Sequence, residues 1–407
     1  MNRAGPRAIT PIMGPLMFSD RTCWNREQNR LSRTLAELRA AGVPILDLTR
    51  SNPTECGLLS DESLVRQAVA QPGLVYYQPD PKGLLEARVV VSQYYNHLGA
   101  RLSPEDVILT SGTSEGYSFV FRLLCNPGDE VLIPSPGYPL FDFLADLSDV
   151  RLVRFPLLYD HGWQIDFHAL EELATERARA VVVIHPNNPT GHYVSATEQD
   201  QLARFCQKRG LALVADEVFL DFSLPARRQL SFVRLNEALA FTLSGLSKIC
   251  GMPQMKLAWV AVSGPEPEKG EALARLEVIA DAFLSVGTPA QLAARTLFDM
   301  RHAFHAQAMQ RIGANLEVLD DELSRQRLCA RLAYEGGWTA VLRVPALESD
   351  EELAIALLNE LAVHAYPGHF YDFRQPGHLI VSLIVPPADF AQGLRRILAH
   401  FGADPAD

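Results

Sequence analysis

The chain lacks any pair of cysteines at CxxC or zinc-ligand spacing: its six cysteines, at 23, 56, 125, 206, 250 and 329, are scattered over 407 residues. That gives no sign of a cysteine-based zinc module, and the simplest reading is reduced thiols in a cytoplasmic protein. No uninterrupted apolar run approaches the roughly 20 residues that span a bilayer, so no membrane partner is expected. A basic block is missing too. Lys and Arg number 37 against 48 Asp and Glu, a formal charge of -11, which argues against a nucleic-acid surface. Nor does a second carboxylate or histidine recur at a ligand-like spacing, so a metal site or a two-acid hydrolase is not supported. Arg3 and Arg7 precede an apolar stretch over 8–18, but its prolines and the want of a small-x-small site argue against a secretion signal. An arm or a partner-contacting strand is expected there instead.

A chain of this length exceeds what one core normally serves, so two domains of unequal size are expected. Short apolar runs at 107–110, 130–134, 150–155, 181–184, 211–215, 239–243 and 257–262 read as strands. They alternate with helical patterns at 114–124, 139–145, 166–177 and 195–210, the last opened by the capping-box pair Ser195 and Glu198. Such alternation defines an α/β fold with a large domain built on a mostly parallel seven-stranded sheet. Helical patterns also cover 25–41 and 83–95, with a strand at 43–48, and a long helical region covers about 289–325. Beyond residue 300 the strands are spaced more widely, at 336–344, 363–366 and 379–385 around a helix at 351–361, as in a smaller α+β unit. The expected division is 1–55 as an arm and part of the small domain, 56–299 as the large domain and 300–407 as the small domain.

Ligands of open α/β sheets gather at the carboxyl ends of the strands, and the polar clusters fall there. Ser111-Gly112-Thr113-Ser114-Glu115 joins a strand to a helix and offers free N–H groups to an anion, although such turns are common. Tyr138, after the next strand, is either a ring that lies over an aromatic ligand or an ordinary half-buried tyrosine. In 185–191, HPNNPTG, two amides between prolines supply neutral hydrogen-bonding groups or a structural turn. Asp216 ends a buried strand, where an acid needs a partner: a protonated heteroaromatic nitrogen, an arginine or a helix end. Glu217 beside it reads as structural. Lys248 shares its loop with Ser244, Gly245, Ser247 and a second cation, Lys256, so the loop can present an amine for imine formation and a charge for an anion.

Phosphate turn, aromatic, amide, strand-end acid and lysine, in that order, describe a pyridoxal phosphate pocket. From about residue 20 to its end the chain resembles the class I/II, fold type I pyridoxal-phosphate-dependent aminotransferases of the aspartate aminotransferase superfamily. The carrying motifs are HPNNPTG at 185–191, ADEVF at 215–219, SGLSK at 244–248 and SGTSE at 111–115. The resemblance implies pyridoxal 5'-phosphate bound as a Schiff base to Lys248, whose freed amine then moves the substrate proton. Asp216 would hold the pyridine nitrogen protonated, Asn188 would serve the ring O3' and the substrate carboxylate, and Tyr138 would pack on the ring. Gly112, Thr113, Ser114, Ser247 and Lys256 would hold the phosphate, Lys256 replacing the family's frequent arginine. Tyr77, with Tyr76 as its rival, would reach the phosphate of a neighbouring subunit, which implies a homodimer with shared sites.

Two departures from the family bear on chemistry. Phe219 stands where a tyrosine usually donates to O3', a loss expected to raise the pKa of the imine. On the late strand, the place of the carboxylate-binding arginine reads as Val381, leaving Arg50, Lys82, Arg374 or amides near Asn52 and Asn188 to take over. The expected reaction is transfer of an amino group from a small-molecule donor, a neutral or hydrophobic amino acid, to a 2-oxo acid by a ping-pong route. Phe18, Tyr76, Tyr138, Phe219, Tyr366 and Phe370 are expected to give the pocket its apolar cast. A carbon–sulfur β-lyase is the nearest alternative, and a non-catalytic regulatory protein of the same fold is the third.

Overall fold

The computed structural model describes residues 17–224 and 230–402. The arm expected at the N-terminus lies outside the described residues as far as position 16. Eight strands form the central sheet: β1 (Val107–Thr110), β2 (Glu130–Ser135), β3 (Arg151–Tyr159), β4 (Trp163–Ile165), β5 (Ala178–Ile184), β6 (Ala212–Asp216), β7 (Ala240–Gly245) and β8 (Ala258–Ser263). Their spatial order is β1-β8-β7-β6-β5-β2-β3-β4. The run β7-β6-β5-β2-β3 is parallel throughout, and β8 lies antiparallel between β1 and β7. Seven of these strands match the expected set. The eighth, β4, turns back on β3 through a bend at His161, and its three residues are too few to show a period.

Parallel strands covered on both faces need apolar side chains at every position, because successive residues point to opposite sides. β5 follows that rule: Val182 and Ile184 pack in one core with Phe121 and Phe241, while Val181 and Val183 pack in another with Leu202 and Phe205. Helices Thr113–Leu124 and Glu266–Asp281 line the first face, and Ala196–Arg209 the second. The last of these begins with the expected capping box at Ser195 and ends at Gly210 in the left-handed conformation. Helices Glu62–Val69, Glu266–Asp281 and Pro387–His400 were not anticipated from the sequence.

The small domain is a four-stranded antiparallel sheet that includes Thr339–Arg343 and His378–Ser382, flanked by helices Asp350–Leu361 and Pro387–His400. Leu46–Asp47 pairs in parallel with Val363–His364, which ties the N-terminal segment to this unit. Helix Thr288–Ser324 is 37 residues long, about 55 Å at the usual rise. Its first part, through Leu297 and Phe298, packs under the central sheet with Trp259; its second part, from Phe304 to Leu319, enters the small-domain core. The expected boundary at 299/300 falls inside this helix.

Asn315, fully buried in the second half of this helix, donates through Nδ2 to the carbonyls of Leu383 and Val385, both at 2.8 Å. Those carbonyls follow the small-domain strand and have little access to water. Asn315→Leu is expected to lower stability by roughly 1–3 kcal/mol, the usual cost of orphaned buried acceptors, read as a shift of the urea unfolding midpoint.

Candidate active site

β6 delivers Asp216 to the carboxyl edge of the sheet, where main-chain bonding ends and side chains must complete the hydrogen bonding. The Val218 N–H donates to Oδ1 at 3.1 Å and the Tyr117 hydroxyl to Oδ2 at 3.1 Å. Burial pushes the carboxyl up to about 6, opposed by those two donors and by the charge of Lys248. Its neighbour Glu217 is fully buried, accepts from Ser231 Oγ at 2.8 Å and the Phe232 N–H at 2.6 Å, and is pushed up by burial to about 8. Glu217 therefore holds the following loop, and burial favours its neutral form.

β7 ends at Gly245, which passes directly into the single turn Leu246–Ile249 that carries Lys248. A Cβ at Gly245 would stand 2.7 Å from that of Ala258, so only glycine lets β7 and β8 stay this close. The Lys248 ammonium lies 5.0 Å from the Trp338 ring centroid and 5.8 Å from that of Phe219. Burial lowers its pKa, against the pull of Asp216. An amine so placed is a better nucleophile at neutral pH than a surface lysine.

Helix Thr113–Leu124 opens with Gly112 as its cap and with no side chain bonded to its first turn. A Cβ at Gly112 would meet Lys256 Nζ at 3.4 Å, so the second cation of the lysine loop stands over this helix start. Thr113 and Ser114 open this helix, so the corner combines orphan N–H groups, the positive helix end and an ammonium, while Ser247 is half-buried next to Lys248.

The 185–192 loop separates its amides. Asn187 is consumed internally, donating to Pro136 O at 3.2 Å and Thr190 Oγ1 at 2.9 Å. Asn188 is half-buried; its Oδ1 lies 3.5 Å from Thr339 Oγ1, and its Nδ2 has no partner among the described residues. Beneath the loop, His185 accepts from the Val194 N–H at 3.1 Å and faces Leu230 O at 3.0 Å, and burial drops its pKa to about 3, so it is neutral. His192 contacts Glu198 at 3.2 Å and Glu335 at 3.6 Å. The Glu335 backbone binds Gly191 and Leu224, while the Gly337 N–H binds Phe222 O at 2.8 Å. These bonds dock 335–339 on the large domain and set Trp338 beside Lys248.

Other expected site residues fall as follows. Tyr138 is 39% exposed and stands within electrostatic range of Asp216 and Tyr366, while Phe219 is buried beside Lys248. Asn52 closes its own turn by accepting from Thr54 and donating to Glu55. Arg374 is exposed on the loop before His378–Ser382. Arg50 is paired with Asp389 and Lys82 with Glu105. Tyr76 and Tyr77 are exposed at 73% and 77%. On the late strand, Val381 packs into the small-domain core, whereas Ile380 packs with Tyr371 and Tyr366. Ser382 pairs with Thr339, and Ile380 with Val341, so Ile380 shares the face of Thr339, whose hydroxyl meets the 188–189 segment. Strand phase therefore puts Ile380, rather than Val381, on the face of Thr339, and neither carries charge. Sequence reading missed Tyr117, Trp338 and Thr339; Trp338, behind two glycines, was read only as part of a strand.

A helix start faced by Lys256, the Lys248 amine, the strand-end carboxylate of Asp216 and the Tyr138 ring are groups of the kinds that pyridoxal 5'-phosphate requires, and Lys248 and Tyr138 each interact electrostatically with Asp216. The model of the family "Aminotransferase class I and II" matches residues 60–397, and the chain belongs to that family, within the fold type I pyridoxal-phosphate-dependent aminotransferase superfamily. Family membership implies pyridoxal phosphate as cofactor. Alanine aminotransferase of Mycobacterium tuberculosis (strain ATCC 25618 / H37Rv) is 28% identical over 387 residues, covering 89% of this chain and 86% of that protein. S-alkyl-thiohydroximate lyase SUR1 of Arabidopsis thaliana is 35% identical over 186 residues, 45% of this chain and 40% of the relative. The solved alanine aminotransferase from Pyrococcus furiosus has the same fold, with a TM-score of 0.83 at 21% identity over 91% of this chain and 96% of that one.

The His192 cluster generates a pH signature. Burial opposes charge on both partners, yet Glu198 and Glu335 raise the His192 pKa above 6.5, and His192 holds Glu198 down at about 2. The imidazolium's contribution is complete below the unfolded pKa of 6.5 and is lost as pH rises through the raised value. That of Glu198 is complete above its unfolded 4.5 and is lost as pH falls towards 2. The stability excess of wild type over His192→Gln is expected to peak between about pH 4.5 and 6.5 and to shrink on both sides, measured by thermal unfolding across pH.

Proposed function

We propose that this chain is an aminotransferase that passes an amino group from a neutral or hydrophobic amino acid to a 2-oxo acid in two half-reactions at one site. The observation that carries the reading is the Lys248 amine, desolvated over Trp338 and Phe219 and set across from the strand-end carboxylate of Asp216. Bound pyridoxal phosphate would supply an electron sink for the carbanion left when the substrate Cα–H bond breaks. Lys248 would hold the cofactor covalently and, once freed by substrate, would carry the Cα proton as general base and acid. Asp216 would accept from the pyridine nitrogen. Gly112, Thr113, Ser114, Ser247 and Lys256 would hold the phosphate, Tyr138 would lie against the ring, and Asn188 would offer Nδ2 to O3' and to the substrate carboxylate.

The apolar preference is supported by Ile380 and Tyr366 on the small-domain face and by the absence of an arginine from His378–Ser382. Besides Asn188, Arg374 and Asn52 are the polar groups proposed for the substrate carboxylate. The exposed run Leu74, Val75, Tyr76 and Tyr77 supports a homodimer in which a tyrosine completes the partner's phosphate site. A carbon–sulfur β-lyase is the second reading, favoured by the partial likeness to the thiohydroximate lyase.

Purified protein given single amino acids with a panel of 2-oxo acids should yield paired amino-acid and oxo-acid products. Ammonia with pyruvate from a cysteine conjugate would replace this reading by the lyase. Lys248→Ala should remove the borohydride-fixed adduct and depress turnover by at least about 10²- to 10⁴-fold; persistence of both would end the proposal. Lys256→Gln is expected to weaken binding of pyridoxal phosphate roughly 10- to 100-fold while leaving that of unphosphorylated pyridoxal unchanged, as one charge-assisted bond predicts.

A further inference from the structure

Tyr117 is the one polar side chain of helix Thr113–Leu124 that reaches the candidate site's carboxylate, and no motif drew attention to it. It lies one turn beyond the anion corner, is 3% exposed, and packs its ring edge-on against Phe141 at 5.1 Å. Its hydroxyl donates to Asp216 Oδ2 at 3.1 Å while the Val218 N–H donates to Oδ1. Each carboxylate oxygen thus has one fixed donor, with acceptor capacity to spare for a ring N–H. A packed phenol needs only some partner, but a core would be served equally well by phenylalanine. Here the hydroxyl is spent on the group that the proposed chemistry needs ionised.

We infer that Tyr117 is a positioning residue for Asp216: it fixes the carboxylate's orientation and keeps it ionised, so that the proton shared with the cofactor's pyridine nitrogen resides on the nitrogen. This rests on the aminotransferase reading above and adds to it a residue outside the family motifs. Burial drives the phenol's pKa well above 10, so it remains an O–H donor at every working pH. The other titratable groups that act on or feel Asp216 are Lys248, Glu217, Tyr95 and Tyr138. Lys248 also favours the ionised carboxylate, but imine formation alters its charge, whereas the tyrosine donor is permanent. Burial favours the neutral form of Glu217, which limits competing negative charge beside Asp216.

The test uses holoenzyme reconstituted with pyridoxal phosphate labelled with 15N in the ring, in wild type, Tyr117→Phe and Tyr117→Leu. Tyr117→Phe keeps the ring packing and removes only the donor. Its proton should move towards Asp216 by roughly tenfold in equilibrium, one pKa unit, and the ring 15N signal should shift from the pyridinium towards the neutral value at pH 7.5. The thermal midpoint of the apoprotein should stay near wild type. A wild-type 15N signal in Tyr117→Phe, with only Tyr117→Leu perturbed, would reduce Tyr117 to core packing and overturn the inference. Failure of wild type itself to bind the cofactor covalently would instead overturn the reading on which it rests.

Discussion

A charged carboxylate kept almost dry at the end of a buried strand is the condition on which the rest of the site depends. Water cannot solvate Asp216 there, so its charge is tolerated only because an N–H, a hydroxyl and a nearby ammonium face it. The same dry surroundings weaken the hold of Lys248 on its proton. Acid and amine are thus tuned by one cause acting on opposite charges, each limiting how far the other shifts. The parallel sheet matters to function chiefly because it ends both strands at this edge.

The second domain contributes less through its own sheet than through the short link before it. Backbone bonds from Glu335 and Gly337 to the large domain bring Trp338 and Thr339 into the cleft. Gly191, with φ of +72°, leaves no room for a Cβ, which would lie 2.8 Å from Gly336 O. The His192 cluster closes the same junction with charge. Chain packing and ion pairing therefore converge on the loop that presents Asn188.

Much of this was legible in the sequence because it is local. Asp216 ends a strand whose apolar run is unambiguous, and Lys248 and the turn at Gly112 closely follow two more. The capping pair Ser195 and Glu198 defined a helix start for the same reason. Tyr117, Trp338 and Ile380 were not legible. Tyr117 reads as one more aromatic on an amphipathic helix, and its target lies 99 residues away. The choice between Val381 and Ile380 turns on strand phase, and a shift of one residue moves every side chain to the other face. β4 and the helix Pro387–His400 escaped because a hairpin strand of three residues has no period and the helix follows a Val-Pro-Pro stretch that reads as loop.

Phe219, Phe222, Phe304 and Trp338 form one contiguous aromatic wall, with Phe222 and Trp338 centroids 5.0 Å apart. Phe304 in turn fills the space where Gly251, three residues past Lys248, would carry a side chain. An engineer seeking to admit bulkier donors by carving into this wall would at the same time loosen the reactive amine, so selectivity and reactivity are mechanically linked on that side. Among the described residues, Tyr366 and Ile380 belong to a separate cluster from that wall, which makes their side the natural direction in which a lineage, or a design campaign, can remodel preference while sparing the chemistry.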